Sequence, residues 1–424
     1  MKKNNGMTVK FISMGLIILL LLIGNMMIHS KLDERRETSH EACSSISKAA
    51  GGSLKLRGIY FVVPYEYTVY TKDKYHNTFS PGDSGTLMIC PKKLNVDSNL
   101  QAEERTLGIY SYPVFTGKVS LAADFNLGDL KREKGIKYHA EDAYFLIKMD
   151  DSNIQSHPKF IINEIKCETE HDGSGIKSRY EYEKGKVHFE TQLDVRGAAC
   201  FESLANADET VMKVKCNWAS PGFTGYDYLP VSRNITEDGF TATWSVPFGA
   251  VDSNHFMGFQ FVDSVNVYRK LDRAINYGFL FIIVPFIALF LFEAFANFQL
   301  HPVQYLLSGA ASVVFFLLLL ALSEHIDFNA SYFVSGSASG ILVSLYVASI
   351  SRKIRIGLSM TGVFIALYAY LFYSLSSEDY AFLIGSIFAF MIIVVLMFFT
   401  RKSNLVRIEK KKKTEDEKFE NSPC

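Results

Sequence analysis

Six long apolar runs alternate with polar stretches along this chain of 424 residues. Each run is close to the roughly 20 residues that a helix needs to cross about 30 Å of hydrocarbon, and none contains Lys or Arg. We expect transmembrane helices at 11–28, 277–296, 303–322, 332–350, 357–375 and 381–400. No small-residue cleavage site follows the first run, so we interpret that run as an uncleaved anchor.

Basic residues flank these runs on one side. They occur before the first run at Lys2, Lys3 and Lys10, between the fourth and fifth runs in 352–355, and after the sixth run in 401–413. Basic residues concentrate on the cytoplasmic side of a membrane. We therefore expect the N-terminal segment 1–10 and the basic tail 401–424 in the cytoplasm, and residues 29–272 on the outer side.

The segment 29–272 has the pattern of β-strands. Polar and apolar residues alternate without a break in Lys186–Arg196 and again in Phe240–Val246, as expected for strands with one buried and one solvated face. Lys159–Ile165 is a shorter strand candidate, and Asp238-Gly239 is a turn signal. We expect a β-rich extracytoplasmic domain, built as a twisted sandwich or as two small sheets.

The composition argues against two classes of protein, a nucleic-acid-binding protein that depends on excess positive charge and a disordered chain. Lys plus Arg and Asp plus Glu both number 44, so the chain lacks the basic excess that would neutralise nucleic-acid phosphates. Apolar residues make up 48% of the chain, which is ample material for a buried core and argues against disorder. We therefore expect the lipid bilayer as a partner and no nucleic acid.

Five of the six cysteines lie in 29–272, and the sixth is Cys424. An oxidising compartment permits disulfides. Cys200 and Cys216 flank a predicted hairpin, so they are the candidate disulfide pair. The spacing of Cys and His does not match a zinc site, and we expect neither a metal nor a cofactor.

A recognisable pattern begins between the second and third predicted membrane helices. It contains Leu300-His301-Pro302 and Gln304-Tyr305, and the apolar run that follows ends in Ser323-Glu324-His325. This pattern resembles the signature of the CreD family of bacterial inner-membrane proteins. The resemblance extends over residues 10–404. The signature positions are Leu300, His301, Pro302, Gln304, Tyr305 and Ser323.

The resemblance implies a multi-pass protein of the bacterial inner membrane, with a role in cell envelope integrity and in the response to envelope stress. It brings no catalytic residues to carry over. The cysteines of the extracytoplasmic domain depart from the family pattern.

Glu293 lies near the cytoplasmic end of the second predicted helix. A carboxylate in or near a membrane span is costly, and is by default a candidate functional residue. One interpretation is a proton relay. The other is that Glu293 reaches the level of the lipid headgroups or caps a neighbouring backbone group.

A second candidate set lies at the outer ends of the helices and consists of Glu324, His325, Glu378 and Asp379. A carboxylate beside an imidazole is able to bind a metal or pass a proton. The alternative is that all four are solvated loop residues that follow the charge asymmetry. His301 is excluded from this set, because the predicted topology places it on the opposite side.

These observations lead to three hypotheses for function. The first is a non-enzymatic envelope protein whose outer domain binds an envelope component or a periplasmic protein. The second is a proton-coupled transporter built on the C-terminal helices and Glu293. The third is a membrane enzyme acting on an envelope lipid or precursor, which requires Glu324, His325, Glu378 and Asp379 to converge.

Overall fold

The computed structural model describes residues 5–67, 69–72, 77–80, 84–130, 135–149, 153–171, 173, 175–247, 255–262, 267–296, 300–376 and 381–402. The chain divides into two compact units. We call Met1–Thr38 with Val265–Cys424 the helical unit, and Ser39–Ser264 the β unit. The β unit starts later and ends earlier than the predicted domain at 29–272.

The helices carry the apolar runs of the sequence. The described α-helices are α1 Asn5–Ala49, α2 Val267–Asn276, α3 Gly278–Ala296, α4 Pro302–Ser323, α5 Phe328–Ser351, α6 Ile354–Ser376 and α7 Ala381–Lys402. Five described stretches are long and apolar enough to cross a membrane: Ile12–Ala49, Val267–Glu293, Pro302–Ser323, Phe328–Ser351 and Ile354–Ser376. In α7 the apolar stretch with described side chains is the shorter Leu383–Phe398. The predicted N-terminal apolar helix and the apolar helices at the C-terminal end are confirmed.

The anchor helix is longer than its apolar run. α1 continues to Ala49, well past the predicted end at residue 28, because residues 29–49 contain neither Gly nor Pro to interrupt it. It ends where Gly51 and Gly52 adopt φ values of 97° and 75°. There the Gly52 N–H donates to the Ser47 carbonyl at 2.8 Å, a common way to close a helix.

The β unit contains twenty described strands. The first ten are β1 Leu54–Leu56, β2 Ile59–Tyr67, β3 Val69–Lys72, β4 Asn77–Ser80, β5 Ser84–Ile89, β6 Lys93–Leu107, β7 Tyr110–Leu127, β8 Ile136–Tyr138, β9 Tyr144–Ile147 and β10 Phe160–Ile162. The others are β11 Ile165–Cys167, β12 Glu170–His171, β13 Ile176–Arg179, β14 Gly185–Ala198, β15 Cys200–Leu204, β16 Glu209–Cys216, β17 Pro221–Gly222, β18 Ser232–Thr236, β19 Gly239–Pro247 and β20 Phe256–Phe261. A short 3₁₀ helix, Ala140–Asp142, precedes β9.

These strands form four sheets. The largest has the order β11-β10-β14-β7-β6-β16-β19-β18. A six-stranded sheet has the order β12-β13-β9-β2-β5, with β8 also paired to β2, and a four-stranded sheet has the order β1-β15-β20-β17. β3 and β4 form a separate pair. The two alternating segments of the sequence lie in β14 and β19, where alternate residues are buried as predicted.

Aromatic side chains pack the eight-stranded sheet against the two other large sheets. The rings of Phe125 and Phe189 each lie 5.2 Å from that of Phe145 in the six-stranded sheet. Phe240 lies 4.8 Å from Phe259 of the four-stranded sheet. The eight-stranded sheet is therefore one layer of a sandwich, and the six-stranded and four-stranded sheets form the other layer.

The predicted strand Lys159–Ile165 is divided in two. β10 ends at Ile162 and β11 begins at Ile165, and the two strands pair with each other. Asn163 and Glu164 between them have φ values of 48° and 69°. Two consecutive residues with positive φ make the tight turn of a β-hairpin, and nothing but the Asn indicated this turn in the sequence.

The predicted hairpin between Cys200 and Cys216 is wrong. Cys200 opens β15, which pairs with β1 and β20, whereas Cys216 ends β16, which pairs with β6 and β19. The two strands lie in different sheets, and both cysteines are free thiols. Burial raises the pKa of the Cys216 thiol to about 11, so this thiol is protonated at neutral pH.

Candidate functional sites

The signature residues between the second and third predicted membrane helices form the start of α4. His301 is the N-cap residue, and its Nδ1 accepts from the Val303 N–H at 3.4 Å. In return, Gln304 Oε1 accepts from the His301 N–H at 2.9 Å. Pro302 takes the first helical position, where its missing N–H costs nothing. The reciprocal pair is a capping box, so this part of the signature specifies where the helix begins.

Tyr305, one turn into α4, connects that helix to α3. Its side chain is fully buried, and its hydroxyl donates to Glu293 Oε2 at 2.7 Å. The Phe286 ring packs beside it, with ring centroids 5.6 Å apart. Glu293 therefore accepts a hydrogen bond from a neighbouring helix. Neither sequence interpretation of Glu293, a proton relay or a headgroup or backbone contact, named this partner, and both stay predictions.

At the other end of α4, Glu324 is buried within the helical unit. Its side chain is only 8% exposed, and Oε1 lies 3.7 Å from the Arg35 Nε of α1. The Tyr268 hydroxyl of α2 donates to the same oxygen at 3.4 Å. Through these two contacts Glu324 joins α1, α2 and α4.

Of the predicted outer set, the structure describes Glu324 and His325, so the convergence of the four residues stays a prediction. His325 is exposed, in contrast to the buried side chain of Glu324. Ser323 is buried at the end of α4. Glu378 and Asp379 lie outside the described residues. Asp327 caps α5 by accepting from the Asn329 N–H at 2.9 Å.

The sequence analysis missed the polar residues of α1 that contact α2. His29 Nε2 lies 3.4 Å from Asp272 Oδ1 of α2, and His29 Nδ1 lies 3.5 Å from Asp33. Asn25 donates to the Ile275 carbonyl at 3.4 Å. Asn25, His29 and Leu32 recur at helical spacing. That spacing was the available signal that α1 continues beyond the anchor and presents one face to other helices.

The β unit has an open cleft of about 200 Å³, lined by both apolar and polar groups, at one end of its eight-stranded sheet. Its lining side chains come from β6, β16, β18 and β19 and from the turn between the last two. They are Leu100, Gln101, Lys215, Cys216, Asn217, Asn234, Thr236, Asp238, Phe240 and Thr241. The amide of Asn217 bonds both main-chain groups of Ala102, at 2.6 and 3.1 Å, and so fixes the end of β16 beside β6. The other polar side chains are exposed and offer both donors and acceptors.

Two histidines of the β unit lie beside carboxylates. His139, Glu141 and Asp142 present possible ligand atoms within 4.8 Å of one another, but both carboxylates are exposed. His188 lies between Asp124, at 2.6 Å, and Glu190, at 3.0 Å. Hydrogen bonds to Glu190 and Asp124 raise the pKa of His188. Sequence reasoning did not single out either group.

The fold defines a class: a membrane protein with an N-terminal apolar helix, a β-rich middle unit and a C-terminal set of apolar helices. The model of the family described as Inner membrane protein CreD matches residues 6–406. The chain belongs to the CreD family, as the sequence resemblance predicted.

Among curated proteins, the chain is similar to the Inner membrane protein CreD of Escherichia coli strain K12. The two are 28% identical over 410 residues, which cover 91% of this chain and 90% of the relative. Two solved structures show weak similarity. A Legionella pneumophila protein described as nutrient binding has a TM-score of 0.25 at 7% identity, covering 45% of this chain and 82% of its own. An M1 zinc metallopeptidase from Deinococcus radiodurans has a TM-score of 0.22 at 9% identity, covering 44% and 53%. Scores this low carry no argument.

Proposed function

We propose that this protein supports cell envelope integrity and envelope-stress tolerance from the bacterial inner membrane. In this proposal the β unit lies in the periplasm, both termini lie in the cytoplasm, and the β unit binds an envelope component or a periplasmic protein. The membrane helices hold the β unit at the outer surface. The family membership supports the inner-membrane location, and the other parts rest on the following arguments.

The distribution of charge supports this orientation. Cations on the proposed outer side have acidic neighbours, as with Arg35 beside Glu324 and Lys31, whose Nζ lies 2.7 Å from Glu34. The proposed cytoplasmic side has three basic residues and no acidic one within 352–355, and further basic residues in 401–413. Orientation follows the basic residues of short loops, so the loop 352–355 and the tail favour the cytoplasm.

The cleft beside Lys215 is the observation that carries the binding role. Concave surfaces with convergent polar groups are the usual places where ligands bind. This cleft combines a cation, an anion, three amides and two hydroxyls, most of them on the strands of the sheet. Rigid elements hold binding groups more accurately than loops do.

The test is complementation of a strain that lacks its own copy of the gene, challenged with the bile detergent deoxycholate. We expect the full chain to restore growth and the variant Lys215→Ala/Asp238→Ala to fail at normal protein level. The matched control Lys166→Ala/Glu170→Ala removes one exposed cation and one exposed anion from elsewhere on the β unit. Full tolerance with the Lys215→Ala/Asp238→Ala variant would contradict the binding role of the cleft.

The bond between Tyr305 and Glu293 favours a second candidate function, proton-coupled transport through the helical unit. An acidic residue that exchanges a proton must be able to ionise, whereas one that only accepts a hydrogen bond need not. Under this candidate, Glu293→Gln abolishes tolerance although the amide still accepts from Tyr305. Tyr305→Phe is the companion variant, because it removes the bond and keeps the carboxylate. A fully active Glu293→Gln protein would contradict proton-coupled transport.

A further inference from the structure

The cleft at the end of the eight-stranded sheet has an apolar floor and a charged rim. Leu100, Cys216 and Phe240 line its floor, and each is at most 3% exposed. The Cys216 thiol is protonated at neutral pH, because burial raises its pKa to about 11, so the floor carries no charge. Lys215 and Asp238 are exposed on the rim. They are the cation and the anion among the residues that line the cleft.

Neither of these two charges has an ion-pair partner among the described residues. Other lysines of the β unit do. The Nζ atom lies 2.6 to 3.6 Å from a carboxylate oxygen in Lys55, Lys92, Lys93, Lys159 and Lys184. Lys215 and Asp238 share a cleft and still do not pair with each other. Their charges are therefore both available to a ligand that enters the cleft.

The register of β16, β18 and β19 limits how far apart the two charged residues lie. Lys215 is opposite Thr241, and Asp238 is three residues before Thr241, in the turn between β18 and β19. Three residues span at most about 11 Å, so one small molecule is able to contact both side chains. The cleft of about 200 Å³ is smaller than the pockets of drug-sized ligands, which begin at about 300 Å³.

Close packing holds the turn with Asp238 against the end of β16. Gly239, which follows Asp238, has a φ of 143°, and a Cβ atom on it would overlap the Cys216 carbonyl oxygen. The Thr236 hydroxyl donates to the Gly239 carbonyl at 3.0 Å and closes the turn. Asp238 and Lys215 therefore belong to one rigid framework, in which a ligand finds both charges already in place.

The two unpaired charges specify the charge of the ligand. A ligand with only an anionic group would bring that group near Asp238, and one with only a cationic group would bring it near Lys215. A neutral ligand would cover both charges without pairing either, and a desolvated charge without a partner is costly. A zwitterion is able to pair with both residues through charge-assisted hydrogen bonds.

Amide side chains favour a peptide over other zwitterions. Gln101 and Asn234 line the cleft and are exposed. A side-chain amide offers a donor and an acceptor, which complement the C=O and N–H of a peptide group. We propose that the cleft binds a short peptide with free termini, whose carboxylate contacts Lys215 and whose ammonium contacts Asp238. The proposal rests on the proposed binding role of the cleft and names the chemical class of ligand that it takes.

The test is ligand-detected NMR on the full-length protein in deuterated detergent micelles, with three peptides. Alanyl-alanine has both charges, its N-acetyl derivative lacks the ammonium, and its C-terminal amide lacks the carboxylate. We expect saturable binding of alanyl-alanine. Each blocked peptide should bind about fivefold more weakly, which is the upper end for the loss of one exposed ion pair.

Two conservative variants assign each end of the peptide to its residue. Lys215→Gln should remove the difference between alanyl-alanine and its C-terminal amide, and should keep the effect of acetylation. Asp238→Asn should do the converse. The control Lys166→Gln, which removes an exposed cation on β11, should leave all three affinities unchanged. Lys215 and Asp238 are exposed, so thermal unfolding of these variants should match that of the parent.

The proposal would be overturned by an absence of saturable binding, by a blocking group at either end that leaves the affinity unchanged, or by a blocking effect that persists in the matching variant. Because the assay measures peptide affinity and not tolerance, it separates the two proposals. Peptide binding by a protein whose cleft variants still protect cells against deoxycholate would retain this inference and contradict the proposed function. No peptide binding, together with failure of the cleft variants in cells, would do the reverse.

Discussion

In the β unit, large aromatic side chains are buried and charged residues occupy the outer positions of the strands. The helical unit also buries aromatic side chains, but many of its large apolar side chains are exposed while several of its serines are buried. Leu345 and Leu358 are 66% and 65% exposed, whereas Ser312 and Ser335 are fully buried. The β unit is therefore organised for water and the helical unit for lipid, where small and polar residues mediate contacts between helices.

The largest difference between the units should appear when an apolar side chain is truncated. Phe145 lies between the two layers of the β unit, with Phe61, Phe125 and Phe189 around it. We expect Phe145→Ala to lower the free energy of unfolding by about 3–5 kcal/mol, because the cavity remains unfilled. The measurement is proteolysis of the full chain in detergent micelles at increasing urea concentration.

The matched variant is Leu345→Ala on α5, which removes an exposed apolar side chain. Lipid or detergent fills the space, so we expect a change of only about 0.5 kcal/mol. An equal loss in both variants would mean that Leu345 is covered by protein, and the contrast between the units would not hold.

The sequence predicted the parts of this contrast that depend on periodicity. Apolar runs identified the helices, and strict alternation identified β14 and β19, because each pattern matches one repeating geometry. The turn at Asn163-Glu164 was missed, because Asn163 was its single local signal. The hairpin predicted between Cys200 and Cys216 was wrong, because the partners of β15 and β16 are decided by contacts distant in the sequence. The same holds for the candidate sites. Glu293 was recognised from its cost in a membrane, but its partner Tyr305 could be found only in three dimensions.

A smaller effect concerns the ion pair of the helical unit. Arg35→Gln leaves the buried Glu324 carboxylate without its cation, so we expect a loss of about 1–3 kcal/mol. The double variant Arg35→Gln/Glu324→Gln should recover part of this loss, since no buried charge then remains. Thermal unfolding in detergent checks both variants.

The control for that pair lies one turn earlier on α1. Lys31 contacts Glu34 at 2.7 Å, but both side chains are more than half exposed. Exposed pairs contribute little, so Lys31→Gln should change stability by about 0.5 kcal/mol or less. If Lys31→Gln proved as damaging as Arg35→Gln, burial of Glu324 would not be the cause.

The smallest effect is a pH dependence in the β unit. When the chain folds, the protonated His188 ring donates hydrogen bonds to Glu190 and Asp124, so the pKa of His188 is raised in the folded state. The stabilisation is fully present below the unfolded pKa of about 6.5 and is lost as pH rises through the folded pKa. Because all three side chains are about half exposed, we expect only about 0.2–1 kcal/mol.

The substitution His188→Gln should flatten the stability profile in that window. Thermal unfolding of both proteins from pH 5 to pH 9 gives the comparison. An unchanged slope in the variant would show that His188 is not the group that titrates.

The periplasmic position of the β unit underlies the proposed function. Alkaline phosphatase, which is active only after export, should be active when fused after Val262 and inactive when fused after Lys353 in the loop between α5 and α6. The same fusions with a fluorescent protein that matures only in the cytoplasm should give the opposite pattern. An inactive phosphatase after Val262, together with fluorescence at that position, would place the β unit in the cytoplasm and contradict the account.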